Sequence, residues 1–352
     1  MSGKIRIILV IIGITVLLYF SGTAFAIKLK LNQETFANLN YLIKARYEVL
    51  NPGSGGDKRC VFTVPDVRLA IQGQIKKNVD FYGHISAGIS LKENGTIERR
   101  PFNLAEGGGN FKFSPEFQIR IGRIRVPFQR ENMENYYSAI VPTNLAPDVK
   151  EGVVFHGRFN GNFYVKYNLG IFNNQDDNYR SPFFTFRMSF TPVKMGYNPE
   201  PNEEKDTAKG WLKDTYLGKE GNILTLGTGI AFIPKPGDDV LGLNGDFFLE
   251  KEINTMLVDF ETGLSYFTDT ENYAVYYFQI QFLKTEKLGY GNPGIFLKLK
   301  KDESSAGYLY WGCGINYYIN GLKTRVSLGF DHKNPEKGKT INEIYVHTQF
   351  IF

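Results

Sequence analysis

Cysteine, tryptophan and histidine are scarce in this 352-residue chain, which holds two Cys, two Trp and four His. Cys60 and Cys313 lie far apart, with no CxxC pair and no Cys/His ligand spacing. An exported chain can pair its cysteines, but Cys60 sits beside a glycine-rich loop and Cys313 inside an aromatic stretch, so both read as free. His84, His156, His332 and His347 fall on separate predicted strands, and no two stand at metal-ligand spacing. No metal or cofactor is expected. A large excess of either charge is also missing: 41 Lys and Arg stand against 36 Asp and Glu, without a long block of one sign. That balance argues against a nucleic-acid binder. Helical periodicity is almost absent, and there is no G-x-S-x-G elbow. The match to G-x-G-x-x-G at GYGNPG (289–294) carries Pro293 and no following helix, so it reads as a turn.

The first 26 residues, MSGKIRIILVIIGITVLLYFSGTAFA, form the exception to this polar texture. Lys4 and Arg6 precede an apolar core from Ile7 to Phe20, and Ala24-Phe25-Ala26 offers a small-x-small cleavage site. This is the layout of a secretory signal peptide, with an apolar core shorter than the ~20 residues of a spanning helix. Cleavage after Ala26 leaves a chain of 27–352. Beyond it no apolar stretch is long enough to span a membrane as a helix, so a membrane-spanning form must be a closed barrel.

What the chain has in abundance is Phe (29), Tyr (21) and Gly (37), the residues of strands and tight turns. Period-2 alternation runs through most of it. In FYVKYNLGIF (163–172), Phe163, Val165, Tyr167, Leu169 and Ile171 share one face, opposite Lys166 and Asn168. In FFTFRMSF (183–190), Phe184, Phe186, Met188 and Phe190 share one face, opposite Thr185, Arg187 and Ser189. These runs approach the roughly 9–11 residues of a tilted spanning strand. Short connections (160–162, 251–254, 319–321) interleave with longer polar ones (51–59, 92–108, 173–181), the pattern of an outer-membrane barrel. Sixteen strands are expected, near 35–49, 61–75, 78–91, 109–113, 117–126, 152–160, 163–173, 182–191, 223–233, 243–251, 254–267, 273–284, 291–300, 306–318, 322–332 and 341–352. The fourth is the weakest, and 192–222 becomes a long connection on the short-turn side. The expected fold is an all-β, transmembrane, antiparallel up-and-down β-barrel. Its last strand ends on Phe352 after alternating apolar residues, a tail similar to the one that barrel-assembly machinery recognises.

Alternation sends a set of cations inward: Lys44, Arg46, Arg68, Arg120, Arg123, Arg125, Arg158, Lys166, Arg187, Lys298, Lys300, Lys323 and Arg325. Facing them are Glu48, Asp66, Asp80, Asp246, Glu250, Asp259, Glu261, Asp331 and Glu343. Arg120, Arg123, Arg125 and Arg130 cluster on and just beyond the strand that feeds the longest loop, 127–151. That loop is the candidate constriction, and these four arginines with Arg158 and Arg187 are the candidate anion-attracting set.

The region 61–191 resembles the phosphate-selective porins O and P. The resemblance is carried by VRLAIQGQIKKNVDFYGHIS (67–86), IRIGRIRVPFQREN (119–132), EGVVFHGRFNGNFYVKYNLGIFNN (151–174) and FRMSFTPV (186–193). Its most specific piece is G-x-x-x-x-PF-x-x-E: Gly122, Pro127, Phe128 and Glu131. Where such porins tend to carry an Arg-Asp-x-Gly entry to the next strand, this chain has DVKEG (148–152). The resemblance implies a trimeric, anion-conducting channel of the bacterial outer membrane, in contact with lipid and small anionic solutes. Two other readings stand beside it. One is a barrel enzyme of lipase or protease type, with a Ser/His or Asp/His pair at a rim where His156 is the candidate histidine. The other is a non-selective or sugar-preferring channel.

Overall fold

The structure is a computed structural model that describes residues 27–351 apart from 33, 52–58, 92–95, 131–148, 175–180, 201–220, 236, 269–271, 306 and 322. The expected signal peptide 1–26 and Phe352 lie outside the described residues. A short strand, β1 (Ile27–Lys30), is followed by β2 (Phe36–Asn51), β3 (Arg59–Lys76), β4 (Val79–Leu91), β5 (Ile97–Lys112) and β6 (Gln118–Arg125). Next come β7 (Val149–Phe159), β8 (Tyr164–Phe172), β9 (Phe183–Thr191), β10 (Ile223–Ile233), β11 (Val240–Ile253) and β12 (Met256–Thr268). The wall is completed by β13 (Tyr273–Lys284), β14 (Asn292–Asp302), β15 (Tyr308–Asn320), β16 (Thr324–Pro335) and β17 (Ile341–Ile351).

Consecutive strands from β2 to β17 pair antiparallel, and β17 returns to β2 from Asn342↔Asn51 to Ile351↔Leu42. The result is a closed sixteen-stranded barrel with one extra strand. Closure removes the two free edge strands that an open sheet would present. β1 lies along the part of β2 that β17 does not reach, from Ile27↔Leu39 to Lys30↔Phe36.

Because strand side chains alternate, one choice of register sets the face of every residue. Leu226, Ile230, Leu243, Leu264, Ile295, Leu297, Ile315 and Leu328 are exposed outside, and Phe184, Leu169 and Ile344 join them as the alternation requires. On this outer face Phe247, Phe260 and Phe278 of β11, β12 and β13 meet edge-to-face with ring centroids 5.6 and 5.3 Å apart. The inner rows hold buried polar and charged residues, among them Thr185, Arg187, Asn244, Asp259, Gln281, Lys298 and Ser327.

Two departures from the alternating pattern have physical reasons. β5 begins at Ile97, so most of the stretch expected as a polar connection (92–108) is strand. Glu98, Arg99, Arg100 and Pro101 hid it. β6 pairs only with Gly107–Lys112, so among the described residues no strand lies beside the far edge of 97–106. A proline and charges are tolerated on such an edge because no ladder bond is lost there. The second departure is inside. Ile223, Phe248, Leu257, Leu283 and Tyr318 occupy inner positions yet pack on one another as a small apolar cluster.

A cation should therefore cost most where the outer wall meets the middle of the bilayer. Leu297→Arg, at mid-strand in β14, should destabilise the folded barrel by about 2–4 kcal/mol, and Leu309→Arg, near a strand end, by about 0–1 kcal/mol. Urea titration of folding into lipid vesicles measures both, and equal costs would overturn the assigned depths.

Candidate functional site

The inner wall of β9–β12 contains glycine where a side chain would otherwise stand. A Cβ on Gly227 of β10 would lie 2.1 Å from Asp246 Oδ1 and 2.5 Å from Arg187 Nη2. With no side chain there, Arg187 on β9 reaches over β10 to Asp246 on β11. Its two terminal nitrogens donate to the two carboxylate oxygens at 2.5 and 2.8 Å. This bidentate pair is buried and oriented by its own fork geometry. A similar bridge forms across β15. Lys298 on β14 pairs with Asp331 on β16 at 3.0 Å over Gly312, where a Cβ would lie 2.3 Å from the same carboxylate.

The vacancy on β10 also admits backbone from elsewhere. A Cβ on Gly229 would meet the Phe128 carbonyl oxygen at 1.9 Å. Residues 126–130, which leave the end of β6, therefore lie inside the barrel and cross to the wall of β10–β12. Phe128 meets Phe267 in a tilted pair with centroids 5.5 Å apart, and Val126 and Phe128 are buried with Ile124, Val154, Phe172, Phe183 and Ala231. Gln129 Oε1 accepts from the Ser265 hydroxyl at 3.0 Å. The expected inward fold of the 127–151 loop is thus seen for its first residues; 131–148 lie outside the described residues.

Arg130 ends this segment and is buried among acids. Its backbone N–H donates to Asp246 Oδ2 at 3.1 Å, and its Nη1 pairs with Glu261 Oε2 at 2.6 Å. Its Nε donates to Glu200 Oε1 at 3.0 Å, and its guanidinium sits 3.8 Å from the Phe248 ring centroid. Glu261 also accepts from Tyr277 and Gln279 at 2.9 and 2.6 Å. The guanidinium therefore meets a carboxylate at both Nε and Nη1, as a charge buried inside a wall requires.

The other expected arginines separate. Arg120 keeps to the inner row with Gln118 and His156. Arg123 does not: with no bulge in β6, it falls on the row of exposed Ile121 and pairs with Glu151 at 2.5 Å. Its place in the lumen is corrected by strict alternation, which cannot hold Arg120 and Arg123 on one face. Arg125, the last residue of β6, turns to buried Glu106 at 3.0 Å. Arg158 is register partner to Lys166 at the end of the wall that carries the short turns. Lys44, Arg46, Arg68, Lys298, Lys300 and Arg325 take inner positions, with Arg46 paired to Glu48 and Glu343 and Arg68 to Asp66. Lys323 stands in the turn before β16, where its N–H donates to the Asn320 carbonyl, rather than on a wall strand. His156 Nε2 bonds Asn110 Oδ1 at 2.8 Å inside the wall. Cys60 and Cys313 are exposed and unbonded.

The same fold occurs in bacterial outer-membrane porins. An anion-selective porin from Comamonas acidovorans superposes with a TM-score of 0.61 at 10% identity, over 91% of this chain and 100% of that one. OmpF of Salmonella typhi, in complex with daunomycin, gives 0.54 at 11% identity over 92% and 100%. The outer-membrane channel DcaP of Acinetobacter baumannii gives 0.54 at 10% over 92% and 99%. No family model matches the chain, and no curated protein matches it in sequence. The likeness is one of fold.

Gly227 should be intolerant of the smallest side chain. Gly227→Ala drives a methyl into the Arg187–Asp246 pair and should cost about 1–3 kcal/mol of barrel stability by overpacking. Gly245→Ala, with open space around its Cβ position, should cost far less; urea unfolding of the two variants compares them.

Proposed function

We propose that this chain is a channel of the bacterial outer membrane that passes small hydrophilic solutes passively and favours anions. The observation that carries the reading is the segment 126–130, held inside a closed barrel against the far wall by Arg130. A barrel of sixteen strands is otherwise wide enough for an open aqueous lumen, and an inserted segment narrows it to a neck. At a neck, wall charges act over distances comparable to the Debye length of about 8 Å at physiological salt.

The distribution of charge supports an anion preference. Inner acids concentrate on β11 and β12 as Asp246, Glu250, Asp259 and Glu261. Arg187 and Arg130 lie on this arc and bind Asp246 and Glu261. The strands from β14 through β17 to β3 present Lys298, Lys300, Arg325, Lys44, Arg46 and Arg68 against Asp331, Glu343, Glu48 and Asp66. A cationic surplus thus faces the lumen on that side. The fold relative from Comamonas is itself described as anion-selective. Phosphate or another oxyanion is the solute class suggested by the resemblance to porins O and P, since a planar guanidinium grips two oxygens at once. A cleaved signal peptide, recognition of the terminal Phe352 by assembly machinery and a homotrimer complete the proposal.

Reversal potential across a salt gradient in a planar bilayer tests the preference. Two unit charges about 6 Å apart interact by about 0.7 kcal/mol even at the dielectric of water. Replacing Lys44 and Arg325 by glutamine should therefore lower the anion-to-cation permeability ratio by at least roughly threefold. Arg123→Gln, on the outer row, should leave it unchanged. If the pair of lumen substitutions keeps the wild-type potential, the anion preference falls.

A further inference from the structure

The connection between β9 and β10 belongs to the short-turn end of the barrel, yet its residue Glu200 touches Arg130, which arrives from the other end. How it gets there is set by a series of anchors. After β9 the chain makes a 3-10 turn at Val193–Met195, closed by Gly196 at φ 82°. The Lys194 N–H donates to the Asn162 carbonyl of the neighbouring turn at 3.3 Å. The Asn198 N–H then donates to the Asn222 carbonyl at 2.8 Å, and Asn198 bridges Ile223 in parallel. Two residues later Glu200 meets the guanidinium.

Charge balance does not require this contact. Arg187 and Arg130 already face two wall carboxylates, Asp246 and Glu261. Glu250 and Asp259, opposite one another in register, lie on the next inner row. A third carboxylate brought to an acidic wall is repelled by its neighbours and must be stripped of water. What Glu200 adds is a covalent lead back to the anchored turn, so that Arg130 is held from the turn end as well as by the wall.

We propose that the neck of the barrel is fixed from both ends, with Glu200 as the positioning residue that ties the inserted segment 126–130 to the connection 192–200. Beside the wall contacts of Arg130, the segment's steadiness in the lumen then depends on the reach of one side chain entering from the turn side. Loss of that reach frees Arg130 to exchange acceptors along the acidic wall, and the neck fluctuates.

Glu200→Asp separates reach from charge, because it keeps the carboxylate and removes one methylene; Glu200→Gln does the converse. Two readouts apply. In planar bilayers the Asp variant should switch between conductance levels on the order of tenfold more often than wild type, as expected for loss of a hydrogen bond to a charged group, at an unchanged reversal potential. The Gln variant should stay near the wild-type rate. Independently, with Cys60→Ser and Cys313→Ser as background, the thiol of Gln129→Cys in vesicles should react with a polar reagent on the order of tenfold faster when Glu200→Asp is added. The second readout holds whether or not the barrel conducts, so the tie and the channel reading fail separately. Wild-type labelling and switching in the Asp variant would overturn the tie. So would an effect confined to a shifted reversal potential in the Gln variant, which would make Glu200 a selectivity charge instead.

Discussion

The placement of a single cation against an acidic wall organises the interior of this barrel. Arg130 joins Glu261, Glu200 and, through its backbone, Asp246, while Phe248 lies under the guanidinium plane. Arginine suits the position because its charge is delocalised, its donors are spread in a plane and it stacks on an aromatic face. The two wall acids, Asp246 and Glu261, come from adjacent strands, two positions apart in register, and would repel each other if left alone. Each therefore needs the arginine as much as the arginine needs them, and removing either side strands a buried charge.

That mutual dependence explains why the inserted segment has one position. Its apolar residues, Val126 and Phe128, find company on the inner faces of β7–β10, and its polar end is specified by the acids of β11 and β12. Apolar contact alone is tolerant of sliding, whereas a buried ion pair with several donors is not. The backbone makes room through Gly229, which lets the Phe128 carbonyl approach the wall more closely than any side chain permits.

The wall was readable from the sequence because lipid and lumen impose a strict period of two on each strand. FFTFRMSF and FYVKYNLGIF declare their faces outright, and the expected sixteen strands match β2–β17 in number and order. Readability failed where another constraint took over. Edge position let β5 carry Arg99, Arg100 and Pro101, so it read as a loop. Arg123 was counted inward along with Arg120, although strict alternation puts the two on opposite faces. Of the site, Asp246 and Glu261 were visible as inward acids, and Arg130 as a member of the arginine cluster. Glu200 was invisible: it lies outside any strand, and no periodicity reports which way a connection turns. Nor does a glycine announce that a bridge passes over it, since Gly227, Gly229 and Gly312 look like ordinary strand glycines until the third dimension is known.

Those glycine positions give the lumen wall a particular kind of adaptability. In most sheets, charge partners sit on adjacent strands, so changing one disturbs a directly bonded neighbour. Here Arg187 and Asp246, and likewise Lys298 and Asp331, communicate across an intervening strand that contributes backbone but no side chain. The hydrogen-bonded ladder and the pattern of lumen charge are thereby uncoupled. A lineage of such barrels is free to exchange, reverse or delete a bridging pair and so alter the charge of its inner wall, while the ladder that lets the chain assemble in lipid is inherited intact.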